Sequence, residues 1–468
     1  MWESEQKTAD MQARALDIFM AAVESVHPQQ LIEEALELRD TVLSARGVDG
    51  RRVEFDLNGV ERVVIAGFGK AVAPMAAALE GLLADRLEGG IVAVKHGHTC
   101  PLEKVRTIEA GHPVPDEGSV RAAHEILALL EGLGEKDLAL VLITGGGSAV
   151  LDAYPEGITL EEAQETFRIL LACGAPIQDI NTVRKHISLV KGGRLAHAAC
   201  PARLLTLVLS DVIGDPLSVI ASGPTVPDPT TFADALEVLD RYGVTTTVPA
   251  GVLARLQAGI RGEISETAKE GDEACRGSDT VIIGNLERAV AAAAERARRH
   301  GFEPHVLTTA QEGEAAETGR ELARLVCTAG RGEGPVPPPC CLIAGGETTV
   351  TITGEAGQGG RNQELALAAA TELAGSGGVV VLSGGTDGTD GPTDAAGGVV
   401  DGWTQARAAA AGFDLDRHLA GHDAYPLLEA VGGLIRTGPT MTNVMDIILL
   451  LAEPMSQPGQ GENGGGER

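Results

Sequence analysis

Apolar residues along this chain gather into short, nearly continuous runs: "RVVIAGFGK" (62–70), "GIVAVKHG" (90–97), "VRTIEAGH" (105–112), "LALVLITGGGSAV" (138–150), "LLTLVLSDVIGDP" (204–216), "TVIIGN" (280–285), "FEPHVLTT" (302–309), "CCLIAGGETTVTITG" (340–354), "VVVLSGGTDGTDG" (379–391) and "NVMDIILLLAE" (443–453). Each opens like a buried strand, and most close on glycine or aspartate. Between them lie stretches with apolar residues at helical spacing, such as "AVAPMAAALEGLLADRL", "SVRAAHEILALLEGL", "EGEAAETGRELARLV" and "NQELALAAATELA". Continuous apolar strands alternating with amphipathic helices predict an α/β protein whose mostly parallel sheets are sandwiched by helices. Residues 225–275 turn polar and rich in proline and threonine, which places a domain boundary there. The expected organisation is a Rossmann-like domain over 1–250, a smaller α/β domain over 276–455, and a disordered tail over 456–468. "RGEGPVPPP" (331–339) reads as a connecting loop.

The turns after the strands carry the candidate chemistry, because doubly wound sheets bind ligands outside the carboxyl ends of their strands. In "AGFGKAV", Gly67 and Gly69 precede Lys70. Val72 stands where a dinucleotide fingerprint needs its third glycine. What survives is a glycine turn that sets Lys70 near a helix start. That suits a phosphate or carboxylate, and equally a tight turn with a solvated lysine. Gly145, Gly146, Gly147 and Ser148 offer bare backbone N–H groups and a hydroxyl, an anion cradle or a close helix–strand contact. "INTVRKHISLVKGGRLA" gathers Asn181, Arg184, Lys185, His186, Lys191 and Arg194, to neutralise an anion or to form a solvated face. Asp211 and Asp215 suit Mg²⁺ or helix capping. Gly345, Gly346 and Glu347 precede the "GEAGQGG" loop, with Arg361 and Asn362 behind it. An arginine at such a place either closes over a phosphoryl group or caps a helix. "TDGTDGPTD" places Asp387, Asp390 and Asp394 together, for a divalent cation or a turn of Asx caps. His96, His98 and His112 cluster in sequence, for metal binding or, as the preferred reading, for separate loop and core roles.

Charge narrows the function. Against 37 Lys+Arg stand 66 Asp+Glu, a net charge of −29, which excludes nonspecific nucleic-acid binding. Seven scattered cysteines without a CxxC pair argue for reduced thiols in the cytoplasm and against a disulfide framework or zinc site. The acidic amphipathic start is not a signal peptide, and no membrane span is expected.

Taken together, "GFGKA", "GHPVPDEGS", "TGGGSA", "INTVRKHIS", "LSDVIGDPL", "IASGPT", "GGETTVT", "GGRNQE" and "GTDGTDGPTDAAG" resemble the glycerate 2-kinases of the MOFRL type, in order and over nearly the whole chain. The resemblance implies two α/β domains with the active site in the cleft between them. It also implies ATP- and Mg²⁺-dependent phosphorylation of D-glycerate at its 2-hydroxyl. The family's important lysine and arginine correspond to Lys70 and Arg361. On that basis Lys70, Arg361 and Asp211 are expected to be catalytic. Gly67, Gly69, Gly145, Gly146, Gly147, Ser148, Asn181, Arg184, Lys191, Gly345, Gly346, Glu347 and Asn362 are expected to bind substrate or phosphate, and Asp215, Asp387 and Asp390 to hold metal. The partners are then D-glycerate and ATP, with a homodimer compatible. The runner-up is an NAD(P)H-dependent hydroxypyruvate reductase, which the incomplete fingerprint at Val72 disfavours. A ligand sensor without turnover explains poorly why acidic and basic loops accompany one another.

Overall fold

The computed structural model describes residues 2–455, with side chains from residue 8; the expected disordered tail lies outside the described residues. The chain divides into two compact units. The first comprises 27–285 and 441–444; the second comprises 2–26, 286–440 and 445–455.

The first unit opens with a small antiparallel sheet, β1 (Leu36–Arg39), β2 (Val42–Arg46) and β3 (Arg52–Asp56). Its main sheet is built from β4 (Arg62–Phe68), β5 (Leu87–Lys95), β6 (Val105–Ala110), β7 (Asp137–Ile143), β8 (Arg203–Leu209) and β9 (Ser278–Gly284). All its ladders are parallel, in the order β6-β5-β4-β7-β8-β9. This is the 3-2-1-4-5-6 order of a doubly wound sheet, so the direction of winding reverses between β4 and β7. Every residue of β7 is buried, as a central parallel strand covered on both faces requires. Val64, Ala66, Phe68, Val141 and Ile143 pack one face against Ala122, Ala123, Ile126 and Leu130 of the helix Glu117–Glu131.

Residues 225–275 are not a linker. Helices Phe232–Arg241 and Ala250–Ile260 bury Phe232, Val238, Leu239, Val252 and Leu256 against Phe167, Leu170, Ile180 and Val183, forming a separate helical core. The chain then returns to add β9 beside β8, so "TVIIGN" closes the first sheet and does not begin a second. The expected boundaries at 250 and 276 therefore move to 285/286. Polar, turn-rich composition reported short helices with long connections here, not a break between cores.

The second unit contains β10 (Glu303–Gln311), β11 (Cys340–Gly346), β12 (Val379–Gly385), β13 (Gly397–Asp401), β14 (Leu434–Ile435) and β15 (Asp446–Ala452), in the order β10-β11-β15-β12-β13-β14. The α/β class stands, but this sheet is mixed. Only β10–β11 is parallel; the other four ladders are antiparallel. Uniform apolar runs predict parallel strands because helices cover both faces. Here helices also cover both faces, and the last strand inserts antiparallel between β11 and β12. The N-terminal helix Trp2–Ser25, expected with the first domain, belongs to this unit. Phe19 is fully buried against Gly384 of β12, where a β-carbon would lie 2.9 Å from Phe19 Cζ. Asp17 accepts from Arg296 Nε and Nη2 at 2.6 and 2.8 Å, and its Oδ2 lies 2.6 Å from His300 Nε2. No described helix is long and apolar enough to cross a membrane.

Truncating Phe19 to alanine should therefore destabilise the C-terminal sheet by about 3–5 kcal/mol, the usual cost of removing a buried ring. Hydrogen exchange should show lost protection in β12 and β15 while β4 and β7 keep theirs.

Candidate active site

At the point where the winding reverses, the turns after β4 and β7 are laced together. Gly69 has φ +133° and lies so close to Thr144 that a β-carbon would stand 2.3 Å from its Oγ1. The Lys70 amide donates to Gly145 O at 2.9 Å, Thr144 N–H to Phe68 O at 3.3 Å, and Ala71 N–H to Thr144 Oγ1 at 3.0 Å. Lys70 is thereby held one residue before the N-cap of the helix Val72–Leu83, whose positive end favours anions. Gly146 has φ +79°, and a β-carbon there would meet His112 Cδ2 at 2.9 Å, His112 Nε2 at 3.0 Å and Lys70 Cγ at 3.2 Å. At Gly145 it would meet Asp211 Oδ2 at 2.2 Å and Asn443 Nδ2 at 2.8 Å. Asn443 donates to Asp211 Oδ2 at 3.1 Å.

The structure thus brings together Lys70, Gly69, Gly145, Gly146 and Asp211 from the expected set. Two further residues join them. His112, which the sequence does not place with this site, follows β6; Asn443 comes from the 441–444 segment, far along the chain. The "GHPVPD" motif was a usable signal for the first, whereas nothing local marks the second. Gly67 is different: a β-carbon would strike Leu142 Cβ at 3.0 Å and Val92 at 3.1 Å, so this glycine serves strand packing. Gly147 likewise packs on Phe68 and Ala221. Ser148 Oγ lies 2.9 Å from Ser222 Oγ, which donates to Asn181 Oδ1 at 3.3 Å; that oxygen also accepts from Arg184 Nη1 at 2.8 Å. Ala221 and Ser222, at φ 48° and 64°, precede Gly223 at 61°; in the two non-glycine residues this is a strained geometry of the kind that clusters at functional loops.

Three members of the expected cationic cluster are taken up by contacts inside the fold. Arg184 lies over the Phe167 ring, 4.6 Å from its centroid. Lys185 pairs with buried Asp228 at 3.1 Å. Lys191, 1% exposed, donates to Leu151 O at 2.8 Å and stands 3.2 Å from Asp152 Oδ2. Burial pushes its pKa down to about 8, against the opposing pull of Asp152. Ser188 and Tyr154 also donate to Asp152, at 2.7 and 3.0 Å. Lys191 thus acts as a pillar under the loop that follows Ser148. A count of charges along the sequence does not report their depth.

In the second unit, Arg361 opens the helix Arg361–Leu373. Its Nε and Nη2 donate to Asp446 at 2.6 and 3.0 Å, and its Nη1 donates to Glu347 at 2.5 Å. Burial works against its charge, but Asp446 and then Glu347 more than compensate, and the guanidinium pKa is raised. Asp390, 3% exposed, accepts from Asn362 N–H at 3.1 Å and Gln363 N–H at 2.9 Å, capping this helix from a distant loop. Gly360 allows the approach: a β-carbon there would lie 2.4 Å from Asp390 Cγ. Burial raises the Asp390 pKa to about 6, against the hydrogen bonds from the two amides. Asn362 Oδ1 accepts from Ser383 Oγ at 2.6 Å. Asp387 accepts from Thr389 N–H and Oγ1, and Asp394 from Tyr425 OH at 2.7 Å. Gly345 packs on Leu286, and Gly346 approaches Gln311 O.

Each expected metal residue makes contacts within its own unit: Asp390 caps the helix Arg361–Leu373, Asp387 accepts from Thr389 in its turn, and Asp215 accepts from Asn285 Nδ2 at 2.7 Å. Among the described residues no group of three His, Cys, Asp or Glu is arranged to hold a metal ion. A preformed magnesium cage does not fit these residues.

A model described as "Domain of unknown function (DUF4147)" matches residues 14–257, and the "MOFRL family" model matches 340–446. The chain is 41% identical to the glycerate 2-kinase of Pyrococcus horikoshii, over 94% of its own length and 97% of that protein. It is 44% identical to a putative hydroxypyruvate reductase of Agrobacterium vitis, over 83% of this chain and 87% of that one. The crystal structure of the Thermotoga maritima glycerate kinase superposes with a TM-score of 0.82 at 39% identity, covering 95% of this chain and 100% of that one. The chain belongs to the glycerate kinase family. The fold predicted from the α/β alternation is thus the fold of a solved family member.

Asp390 supplies a test of the electrostatics. Its folded pKa of about 6 lies above the ordinary aspartate value of 3.8, so the native state holds the proton more tightly. Its contribution to stability is then greatest at low pH and is lost as pH rises from about 4 to 6. The D390N variant should gain on the wild type across that window when unfolding free energies are compared at each pH.

Proposed function

We propose that this protein transfers the γ-phosphoryl group of ATP to the 2-hydroxyl of D-glycerate, giving 2-phosphoglycerate and ADP. The observation that carries this reading is Lys70 fixed on the laced glycine turns beside Asp211, in a chain related over nearly its whole length to a glycerate 2-kinase. Phosphoryl transfer asks a protein mainly for alignment and charge stabilisation. Lys70 provides a cation for the transferring phosphoryl or the acid's carboxylate, and the exposed backbone of Gly145 and Gly146 lets an anion approach. Asp211, fixed by Asn443, orients the hydroxyl that attacks. Magnesium enters this reading with the nucleotide, which needs only one or two protein carboxylates. Arg361 is required as a rigid, doubly anchored cation. The reading extends to a cytoplasmic enzyme of small soluble anions, with a homodimer compatible.

The reductase alternative meets a specific obstacle. Dinucleotide sheets set an acidic residue for the ribose near the end of the second strand. Here β5 ends on Lys95, followed by His96, which leaves NAD without that partner. A basic residue there is compatible with the 2′-phosphate of NADP, and against that form stands Val72 in place of the third fingerprint glycine. Hydroxypyruvate-dependent oxidation of NADH or NADPH without ATP would overturn the kinase reading.

Replacing Lys70 by alanine should lower kcat/KM for glycerate-dependent ADP formation by about 10²-fold or more, the usual cost of losing one transition-state donor. R361A should fall comparably while remaining folded. Phosphorus NMR of the wild-type product should show 2-phosphoglycerate; a 3-phosphoglycerate signal would overturn the assigned position.

A further inference from the structure

His112 is more than a loop residue, and its loop is tied down chiefly through one carboxylate, Asp116. Its loop leaves β6 at Gly111, whose amide reaches the Asp116 carboxylate. That carboxylate also accepts from Ser119 N–H at 3.0 Å, in the capping box of the helix Glu117–Glu131, and lies 2.9 Å from His96 Nε2. Gly111 is itself wedged in the turn, where a β-carbon would stand 2.4 Å from Val114 O. The loop is therefore pinned at both ends, and the imidazole it carries is directed by structure rather than by chance exposure.

The ring edge that carries Nε2 faces Gly146, at a distance that no side chain at 146 would permit. The same glycine abuts Lys70 Cγ. On another side of Lys70, His98 Nδ1 lies 3.1 Å from its carbonyl oxygen. Lys70 is thus touched by the turns after β5 and β7, and the turn after β6 reaches it by way of Gly146. A packing residue at this position would be expected to be aliphatic, as the surrounding strands are. An imidazole nitrogen placed against Gly146, beside the Lys70 side chain, is chemically suited to an oxyanion.

We propose that His112 is a ligand-binding residue of this site, donating from Nε2 to an oxyanion that also faces Lys70. The inference rests on the phosphotransfer reading and deepens it. The oxyanion belongs either to the carboxylate of the acid substrate or to a phosphate of the nucleotide, and the two share the chemistry that recognises them.

The test compares H112L and H112Q with wild type in steady-state glycerate-dependent ADP release, with KM measured for each substrate in turn. H112Q keeps an amide donor near the Nε2 position; H112L keeps bulk without a donor. H112L should raise one KM by about tenfold or more, the effect of losing a charge-assisted hydrogen bond, and H112Q should recover most of it. A rise for glycerate identifies the carboxylate; a rise for ATP identifies the phosphate. Wild-type KM values in H112L, or equal loss in H112Q and H112L, would overturn the proposal. Should H112L not fold, ¹⁵N-histidine NMR of the wild-type protein decides. The Nε2 signal of His112 shifts on adding glycerate or a non-hydrolysable ATP analogue, and a signal unmoved by both overturns the assignment. Wild type lacking turnover would instead refute the kinase reading, so the two failures are distinguishable.

Discussion

The close approach of Gly69 to Thr144 is the constraint on which the first unit's site depends. Two parallel strands diverge at the point where the sheet's winding reverses, and their turns would splay apart without a tie. Here the Thr144 hydroxyl accepts from Ala71 N–H, while Lys70 N–H and Gly145 O close the next link. The backbone of Gly69 lies where a β-carbon would overlap Thr144, so the pair works only with glycine at that position. The consequence is local and chemical. Lys70 leaves a rigid backbone, and its neighbours at Gly145 and Gly146 are bare enough for His112 and Asp211 to come alongside. A flexible turn with the same residues would pay the ordering entropy at each binding event.

Rigidity beneath this turn comes from buried ion pairs. Lys191 with Asp152, and Lys185 with Asp228, are nearly inaccessible to water. Such pairs add little net stability, because desolvation offsets their attraction. Their value lies in geometry. Asp152 gathers Lys191, Ser188 and Tyr154, and Lys191 reaches the Leu151 carbonyl, so one carboxylate holds the descending loop from several sides. Removing one partner leaves a buried charge alone, at a cost of about 3–5 kcal/mol. Ser148 joins the same region through Ser222 and Asn181, along a stretch of backbone strained at two successive residues, Ala221 and Ser222.

Much of this was legible in advance, for a definite reason. Continuous apolar strands alternating with helices state the α/β class directly, and strand-end glycines state where ligands approach, since both follow from local pattern. Depth and partnership do not. Lys191 and Arg184 looked like an anion site because sequence shows sign without burial, whereas folding placed one against Asp152 and the other over Phe167. Asp390 resembled a metal ligand because three aspartates sat close together, yet each found its own donors. Asn443 and the N-terminal helix were hidden for the opposite reason: their partners lie hundreds of residues away. The antiparallel insertion of β15 was invisible too, because a strand buried on both faces reads the same in either direction.

The surroundings of Arg361 show how exposure sorts apparently equivalent partners. Asp446 grips the guanidinium through two parallel bonds and is 4% exposed, whereas Glu347 makes one contact and is 48% exposed. Water screens the second interaction far more than the first. Asp446 therefore fixes the plane and direction of the arginine, and Glu347 adjusts the net charge around it. Asp390, behind the same helix start, adds a third carboxylate to this neighbourhood. Its raised pKa arises chiefly from burial, with Asp446 adding to the effect while the helix amides and Arg361 oppose it. A guanidinium so heavily compensated is poorly described as a bare positive charge; it is a fixed set of donors whose orientation is set by the carboxylate that solvent does not reach.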